Sequence, residues 1–321
     1  MLLKKKSLNL WKKSLPKFAN NKIKGKTLLR KAIYLFQYIL LRAMFALFKI
    51  VPLKIVSKLG QWLGTFLASL PASTNQMARY NIRLCFPEKS EKEVREIHEK
   101  ATQNFIQTLL EMPKVYSLNS NNFKKHVEVE GIEHLRNDTS RLILTAHYGN
   151  WDVVNKTIGH YGIPMASIYR KANNPYVNSY ITKLRGQDSG LMIEKGIPGA
   201  KKLIKAVKEG MCAGFLNDQK MSDGIASTFF GQEVKSPSAI ADLALKYNRE
   251  VVPVFAVRTK LGHFKIKFYP PVKLKKIGES RKDSAHAIQM FNNIIEEQIK
   301  EDPTLWLWHH KRFTRKIDQT L

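Results

Sequence analysis

The sequence predicts an α/β fold: a mostly parallel central sheet flanked by helices, preceded by an apolar and basic helical segment. Two observations carry the sheet. From about residue 126 onward, short apolar runs alternate with amphipathic stretches, the order of strands joined by crossover helices. RLILTA (141–146) is apolar apart from its ends, as a strand covered on both faces requires. A third observation sets the N-terminus apart. Residues 1–87 hold 17 Lys or Arg and no Asp or Glu, and the first acid is Glu88.

In chain order, AIYLFQYILLRAMFALF (32–48) has Arg42 as its one charge. As a helix it would be about 25 Å long, short of a hydrocarbon core of about 30 Å. Lys31, Arg42 and Lys49 are spaced 11 and 7 apart, which returns them to within about 20° of one direction. Three readings stay open: a helix lying in the headgroup region with its cations on phosphates, a single span, or a core helix. A second apolar stretch, Leu59 to Leu70, contains Trp62 and Phe66 and is also short. Lys4, Lys5, Lys6, Lys12, Lys13, Lys22, Lys24 and Lys26 add to membrane attraction, each contributing about 1 kcal/mol near an anionic surface. A cleaved signal peptide does not fit an apolar region that starts so late. The expected division is 1–72, membrane-associating helices, and 73–321, the α/β domain.

Residues 91–112 read as a helix opened by a capping box of Ser90 and Glu93. HVEVEG (126–131) alternates like a strand. Strands are expected at 141–146, 165–170, 211–217, 250–258 and 263–269, and helices at 150–160, 175–185, 198–209, 237–247 and 284–300. Pro253 predicts an edge or irregular position for its strand.

Composition narrows the function. The 321 residues carry a net charge of +28, are 44% hydrophobic and include 2 Cys. That excludes a disordered chain and a disulfide scaffold, and implies an anionic partner. A nucleic-acid binder would interleave its basic residues with exposed aromatics on one face. Here the excess surrounds apolar helices and no nucleic-acid motif is found, so no nucleic-acid partner is expected.

Ligands of open parallel sheets sit beyond the C-terminal strand ends. There RLILTA runs into AHYGNWD, with His147 at the exit, Gly149 at the turn and Asp152 five residues on. A carboxylate that fixes the tautomer of a histidine and stabilises its imidazolium makes a general base. The pair also has an ordinary structural reading. No H-E-x-x-H or Cys cluster accompanies it, so a metal is not expected.

HYGNWD resembles the H-x-G-N-W-[ED] block of the bacterial lipid A biosynthesis (late) lauroyl/myristoyl acyltransferase family. Further blocks agree in order: YRKANNP (169–175), LRGQDSGLMI (184–193), FLNDQ (215–219), STFFGQ (227–232), REVVPVF (249–255) and PTLWLWHHKRF (303–313). The resemblance covers about 28–316. Asp152 stands where Glu is commoner, and Lys171 where Pro is usual.

The resemblance implies transfer of a fatty acyl chain from acyl carrier protein to a hydroxyl on a 3-hydroxyacyl chain of a lipid A precursor. His147 is then the expected base, Asp152 its orienter, and Arg170 a holder of the oxyanion or of a sugar phosphate, or else a solvated strand-end cation. Asp218 positions Arg170 or the acceptor, or caps a turn. Asn150 and Gln219 are expected to bond substrate. Phe229, Phe230 and Gly231 line an acyl or glucosamine pocket, or simply pack. Trp306, Trp308, Lys311 and Arg312 suit an interfacial belt or cap the core. The expected partners are acyl-acyl carrier protein, the anionic lipid A precursor and an anionic membrane surface, at the cytoplasmic face of the bacterial inner membrane. No cofactor is required. A relative of the same superfamily with another acceptor (a phosphatidylinositol mannoside, an ornithine lipid or a glycerolipid) is the alternative.

Overall fold

The computed structural model of the chain describes residues 17–135, 141–276 and 278–313. Four helices come first: α1 (Lys17–Ile50), α2 (Leu53–Ser69), α3 (Ser73–Cys85) and α4 (Glu91–Val115). The lysines at positions 4–13 lie outside the described residues. The stretch Leu28–Ile50 is long and apolar enough to cross a membrane by length and composition, and 11% of its most apolar window is buried. Phe45 and Phe48 are its buried side chains, while Leu28, Ile33, Phe36, Leu40 and Leu47 are exposed, so α1 is not a core helix. Arg42 leans over the ring of Tyr180 at 5.0 Å.

Helix α2 has two contrasting faces. Val56, Ser57, Gly60, Gly64 and Ala68 are buried, and Gly60 and Gly64 lie so close to the backbone of Gln107 and Gln103 on α4 that a methyl group on either would collide. Ile55, Leu59, Trp62, Phe66 and Leu70 are exposed, spaced three or four apart as one helix face demands. The predicted capping box at the start of α4 is present: Ser90 Oγ accepts from Glu93 N, and Ser90 N donates to Glu93 Oε2 at 2.8 Å.

After α5 (Ser120–His126) and β1 (Val127–Glu130) the chain alternates. β2 (Leu142–Thr145), α6 (Trp151–His160), β3 (Met165–Tyr169), α7 (Pro175–Ser189), β4 (Gly190–Glu194), α8 (Ile197–Lys208) and β5 (Cys212–Leu216) follow. A hairpin of β6 (Ile225–Phe229) and β7 (Gln232–Ser236) precedes α9 (Ala239–Tyr247), β8 (Val251–Lys260), β9 (His263–Phe268) and α10 (Ser280–Glu301). The main sheet runs β1-β9-β8-β2-β5-β3-β4. Strands β8, β2, β5, β3 and β4 are parallel, and β9 is antiparallel to β8.

Alternate residues of β2 feed two cores, as the pleat dictates. Leu142 and Leu144 pack with Leu203 and Val207 of α8 and with α9 and α10. Ile143 packs with Val153, Val154 and Ile158 of α6. Of the two positions expected for the Pro253 strand, the edge is overturned and the irregular one is found: β8 lies inside the sheet, between β9 and β2. Pro253 falls where the ladder to β2 ends, at Leu144↔Pro253, and the ladder to β9 begins, at Val254↔Phe268. The missing N–H is tolerated at that handover.

Candidate active site

β2 and β5 are adjacent and in register, Thr145 opposite Leu216. Two residues beyond each strand, His147 and Asp218 therefore face one another. His147 Nδ1 lies 2.8 Å from Asp218 Oδ1, and its backbone N–H donates to Oδ2 at 2.9 Å. The indole N–H of Trp306 donates to the same Oδ2 at 2.9 Å. Asp218 is fully buried. Burial alone would raise its carboxyl, but the charge and hydrogen bonds of His147 outweigh it and hold Asp218 well below the usual carboxylate range. Nε2 of His147 faces outward, 3.4 Å from the side-chain amide of exposed Gln219. The ring of Trp151 closes one side at 5.0 Å.

The expected pairing of His147 with Asp152 is corrected. Asp152 sits in the first turn of α6 and projects away from the strand exit toward α4 and α7. Arg185 Nε and Nη2 grip its two oxygens at 2.9 and 3.0 Å, and Tyr116 Oη donates to Oδ1 at 2.9 Å. Asn155 Nδ2 donates to Tyr116 Oη and to the Arg185 carbonyl. Asp152 raises the Arg185 guanidinium still further above its ordinary range. Nothing in the sequence pattern marks Tyr116 or Arg185 as a partner of Asp152. Arg185 lies within LRGQDSGLMI (184–193), but its spacing from Asp152 carries no signal until α6 and α7 are packed side by side.

Asn150 is corrected too. It is fully buried, and its Nδ2 donates to Glu111 Oε2 at 2.8 Å rather than facing an opening. Glu111 accepts from Arg258 Nη1 at 2.5 Å, and Arg258 Nε donates to Asn104. Asn104 and Thr108 both donate to the Gly149 carbonyl. Gly149 has φ +56, and a methyl group there would collide with the Ala256 carbonyl, so only glycine makes this turn. The loop after β2 is thus pinned from α4 and β8.

The segment 303–313 closes the other side. The Leu305 carbonyl accepts from Gly149 N at 2.8 Å, and Leu307 N donates to the His147 carbonyl at 3.0 Å. Trp306, Trp308 and Arg312 are fully buried. This decides between the two readings: they cap the core and form no interfacial belt, while Lys311 is exposed. Arg312 donates to the Gln219 carbonyl at 3.1 Å and to Ser236 Oγ at 2.9 Å, and lies 4.7 Å from the Phe229 ring. Burial lowers its guanidinium to about 10. His310 Nε2 meets the Asp218 carbonyl at 3.3 Å, and burial lowers this imidazole to about 4.

Phe229 is fully buried against Trp306 and Phe313, so it backs the site and lines no open pocket. Phe230 packs on Phe86 and forms the tight hairpin turn with exposed Gly231. Arg170 is exposed just after β3, on the same edge of the sheet as His147 but two strands away.

An imidazole held by a buried carboxylate at the C-terminal edge of a parallel sheet is the arrangement the class is to be read from: an α/β protein whose ligand edge carries a side-chain pair of acid–base type. The sequence profile of the bacterial lipid A biosynthesis acyltransferases matches residues 22–315, and the chain belongs to that family. It is an acyltransferase of lipid A biosynthesis. It is 24% identical over 273 residues to a lipid A biosynthesis acyltransferase 2 of Shigella flexneri, covering 83% of this chain and 84% of that protein. With the lipid A biosynthesis lauroyltransferase of Escherichia coli (strain K12) it shares 22% over 271 residues, covering 82% and 86%. Among solved structures it is similar to the 1-acyl-sn-glycerophosphate acyltransferase PlsC of Thermotoga maritima, with 17% identity and a TM-score of 0.39, covering 78% of this chain and 98% of that one.

Proposed function

We propose that the chain moves a fatty acyl group from acyl carrier protein to the hydroxyl of a 3-hydroxyacyl chain on a lipid A precursor, with His147 as general base and Asp218 as its orienter. The observation that carries this reading is the 2.8 Å contact of His147 Nδ1 with Asp218 Oδ1, which leaves Nε2 on the outer side of the ring, beside exposed Gln219. Nε2 takes the hydroxyl proton as the oxygen attacks the thioester carbonyl. Asp218 stabilises the resulting imidazolium. The tetrahedral intermediate collapses, the C–S bond breaks, and the imidazolium returns the proton to the departing thiolate. Gln219 Nε2 stands beside the reacting nitrogen and is placed to donate to the developing oxyanion. Exposed Arg170 suits a phosphate of the acceptor better than the oxyanion, because it sits two strands off.

The 1–72 segment serves as the membrane contact, at the cytoplasmic face of the inner membrane. The exposed apolar faces of α1 and α2 support this, since apolar patches of such extent are seldom left to water. The test is transfer from acyl-acyl carrier protein to purified lipid A precursor, read by mass spectrometry as a gain of one acyl group. His147→Ala is expected to lower the rate by about 10²–10⁴ with unchanged thermal midpoint. A folded His147→Ala enzyme of near wild-type rate would remove the assignment.

A further inference from the structure

We propose that the outer face of α8, with the turn that leads into it, is the docking surface for the acidic protein that delivers the acyl chain. The proposal rests on the donor reading above and deepens it. Helix α8 buries Leu203, Ala206 and Val207 against the sheet. Its opposite face carries Lys201, Lys202, Lys205 and Lys208, all exposed. On a helix these four lie within an arc of about 120°. Just before the helix, Lys195 is exposed, and Ile197, the first residue of the helix, presents 80% of its surface. Glu209 meets Lys205 at 3.7 Å with both side chains mostly in solvent, a contact of little strength.

Position argues for a carrier. α8 begins directly after β4, so its first turn stands on the C-terminal edge of the sheet, the edge that holds His147 and Asp218. With strands about 4.8 Å apart, the end of β4 is roughly 10–15 Å from the ends of β5 and β2. A partner seated there needs a long flexible arm to bring a thioester to His147, which is what a carrier protein supplies.

Position also argues against lipid as the occupant. α8 packs on the sheet face of Leu142 and Leu144, whereas α6 packs on the face of Ile143. α7 lies along α6, and α1 rests on α7 through Tyr38, Tyr176 and Tyr180, with Asn174 Nδ2 donating to the Tyr34 carbonyl at 2.8 Å. The apolar helix and the lysine row therefore belong to opposite faces of the sheet. Ile197 is the one strongly exposed large apolar side chain on α8. A single apolar contact ringed by cations fits a charged, soluble surface, with apolar centre and polar rim.

The test compares the full chain with K201E/K202E/K205E. Each is assayed with acyl-acyl carrier protein, with the same acyl chain on pantetheine, and for binding to phosphatidylethanolamine–phosphatidylglycerol vesicles. The expected result is a KM for acyl-acyl carrier protein raised about tenfold or more, by loss of steering and rim contacts. kcat, the pantetheine reaction, vesicle binding and thermal midpoint are expected to stay at wild-type values. An unchanged KM for the carrier donor overturns the docking surface and leaves the donor reading standing. Loss of vesicle binding with the carrier KM unchanged makes the row a lipid contact and overturns the proposal. A wild-type enzyme that uses acyl-pantetheine but not acyl-acyl carrier protein overturns the donor reading and the docking surface together.

Discussion

Two buried carboxylates flank the exit of β2, and their partners differ in kind. Asp218 faces an imidazole, a group that can take up and give back a proton. Asp152 faces a guanidinium, which keeps its protons under all working conditions. In the proposed mechanism the first pair passes through a charged and an uncharged state. The second is permanently charged, and the grip of Arg185 on both of its oxygens ties α6 to α7. Proximity along the chain points to Asp152, five residues from His147, while strand register selects Asp218, seventy-one residues away. The partner of His147 is chosen here by the neighbouring strand.

That contrast can be tested from its strongest consequence downward. Asp218→Asn keeps the shape of the side chain but cannot stabilise an imidazolium, so kcat is expected to fall by about 10²–10⁴. The measurement is kcat alongside near-native circular dichroism. Asp152→Asn is expected to behave differently. It strands the Arg185 charge against α6, and breaking a buried pair in this way costs about 3–5 kcal/mol of stability. Denaturant titration should show that loss, and the kcat of the remaining folded fraction should fall less than in Asp218→Asn. Equal kcat losses with equal stability would erase the distinction drawn between the pairs. Asp152→Glu should be mild, because glutamate is the commoner residue in the family's block.

Acid should act on the region around Asp218 before it reaches the carboxylate itself. Burial lowers His98, His309 and His310 to about 4 each, the charges of Arg79 on His98 and of neighbouring histidines on the other two adding to it. Unfolded, each would titrate near 6.5. Between those values the unfolded chain binds more protons, so stability is full above about pH 6.5 and declines as pH falls toward 4. Asp218, depressed when folded, adds its own loss only below the ordinary carboxylate range. Unfolding followed at a series of pH values should show up to three protons taken up in the upper window. A flat profile from 6.5 to 4 would show that the three imidazoles are charged in the native state.

The smallest effect is expected for Trp306→Phe. One of three hydrogen bonds to Asp218 is lost while most of the packing stays, and a neutral donor to a charged acceptor contributes about 1.5–3 kcal/mol. Activity should drop by about tenfold with the thermal midpoint nearly unchanged, since Asp218 is then held less firmly. A matching loss of thermal stability would mean that the indole acts through packing alone.

Much of the fold could be read from the residues because its signals are local. The capping box at Ser90, the buried run at Leu142–Thr145 and the amphipathic pattern of α8 each depend on a few neighbouring positions. Strand β4 was harder to see. It is an edge strand, GLMIE, with three of its five residues exposed, and it lacks the alternation or the apolar run that marks the others. His147 was legible for the same local reason, at a strand exit before a glycine turn. Its partner was not, because the order β2-β5 in the sheet is a tertiary fact. Chain order alone would set β3 beside β2. The roles of Trp306 and Arg312 depend on a segment that returns to the strand ends from more than eighty residues beyond Asp218, and tryptophans near basic residues read equally well as a membrane belt.

The segment 303–313 also imposes an order on biosynthesis. Every strand of the sheet, both members of the His147–Asp218 pair and the lysine row of α8 leave the ribosome before Trp306 does. A nascent chain at that stage already owns the means to capture a thioester, but Asp218 lacks its indole donor and the Gly149 turn lacks its anchor at Leu305. Both are supplied only when this late-emerging stretch docks, so the surroundings of Asp218 are completed in the same event that completes the core.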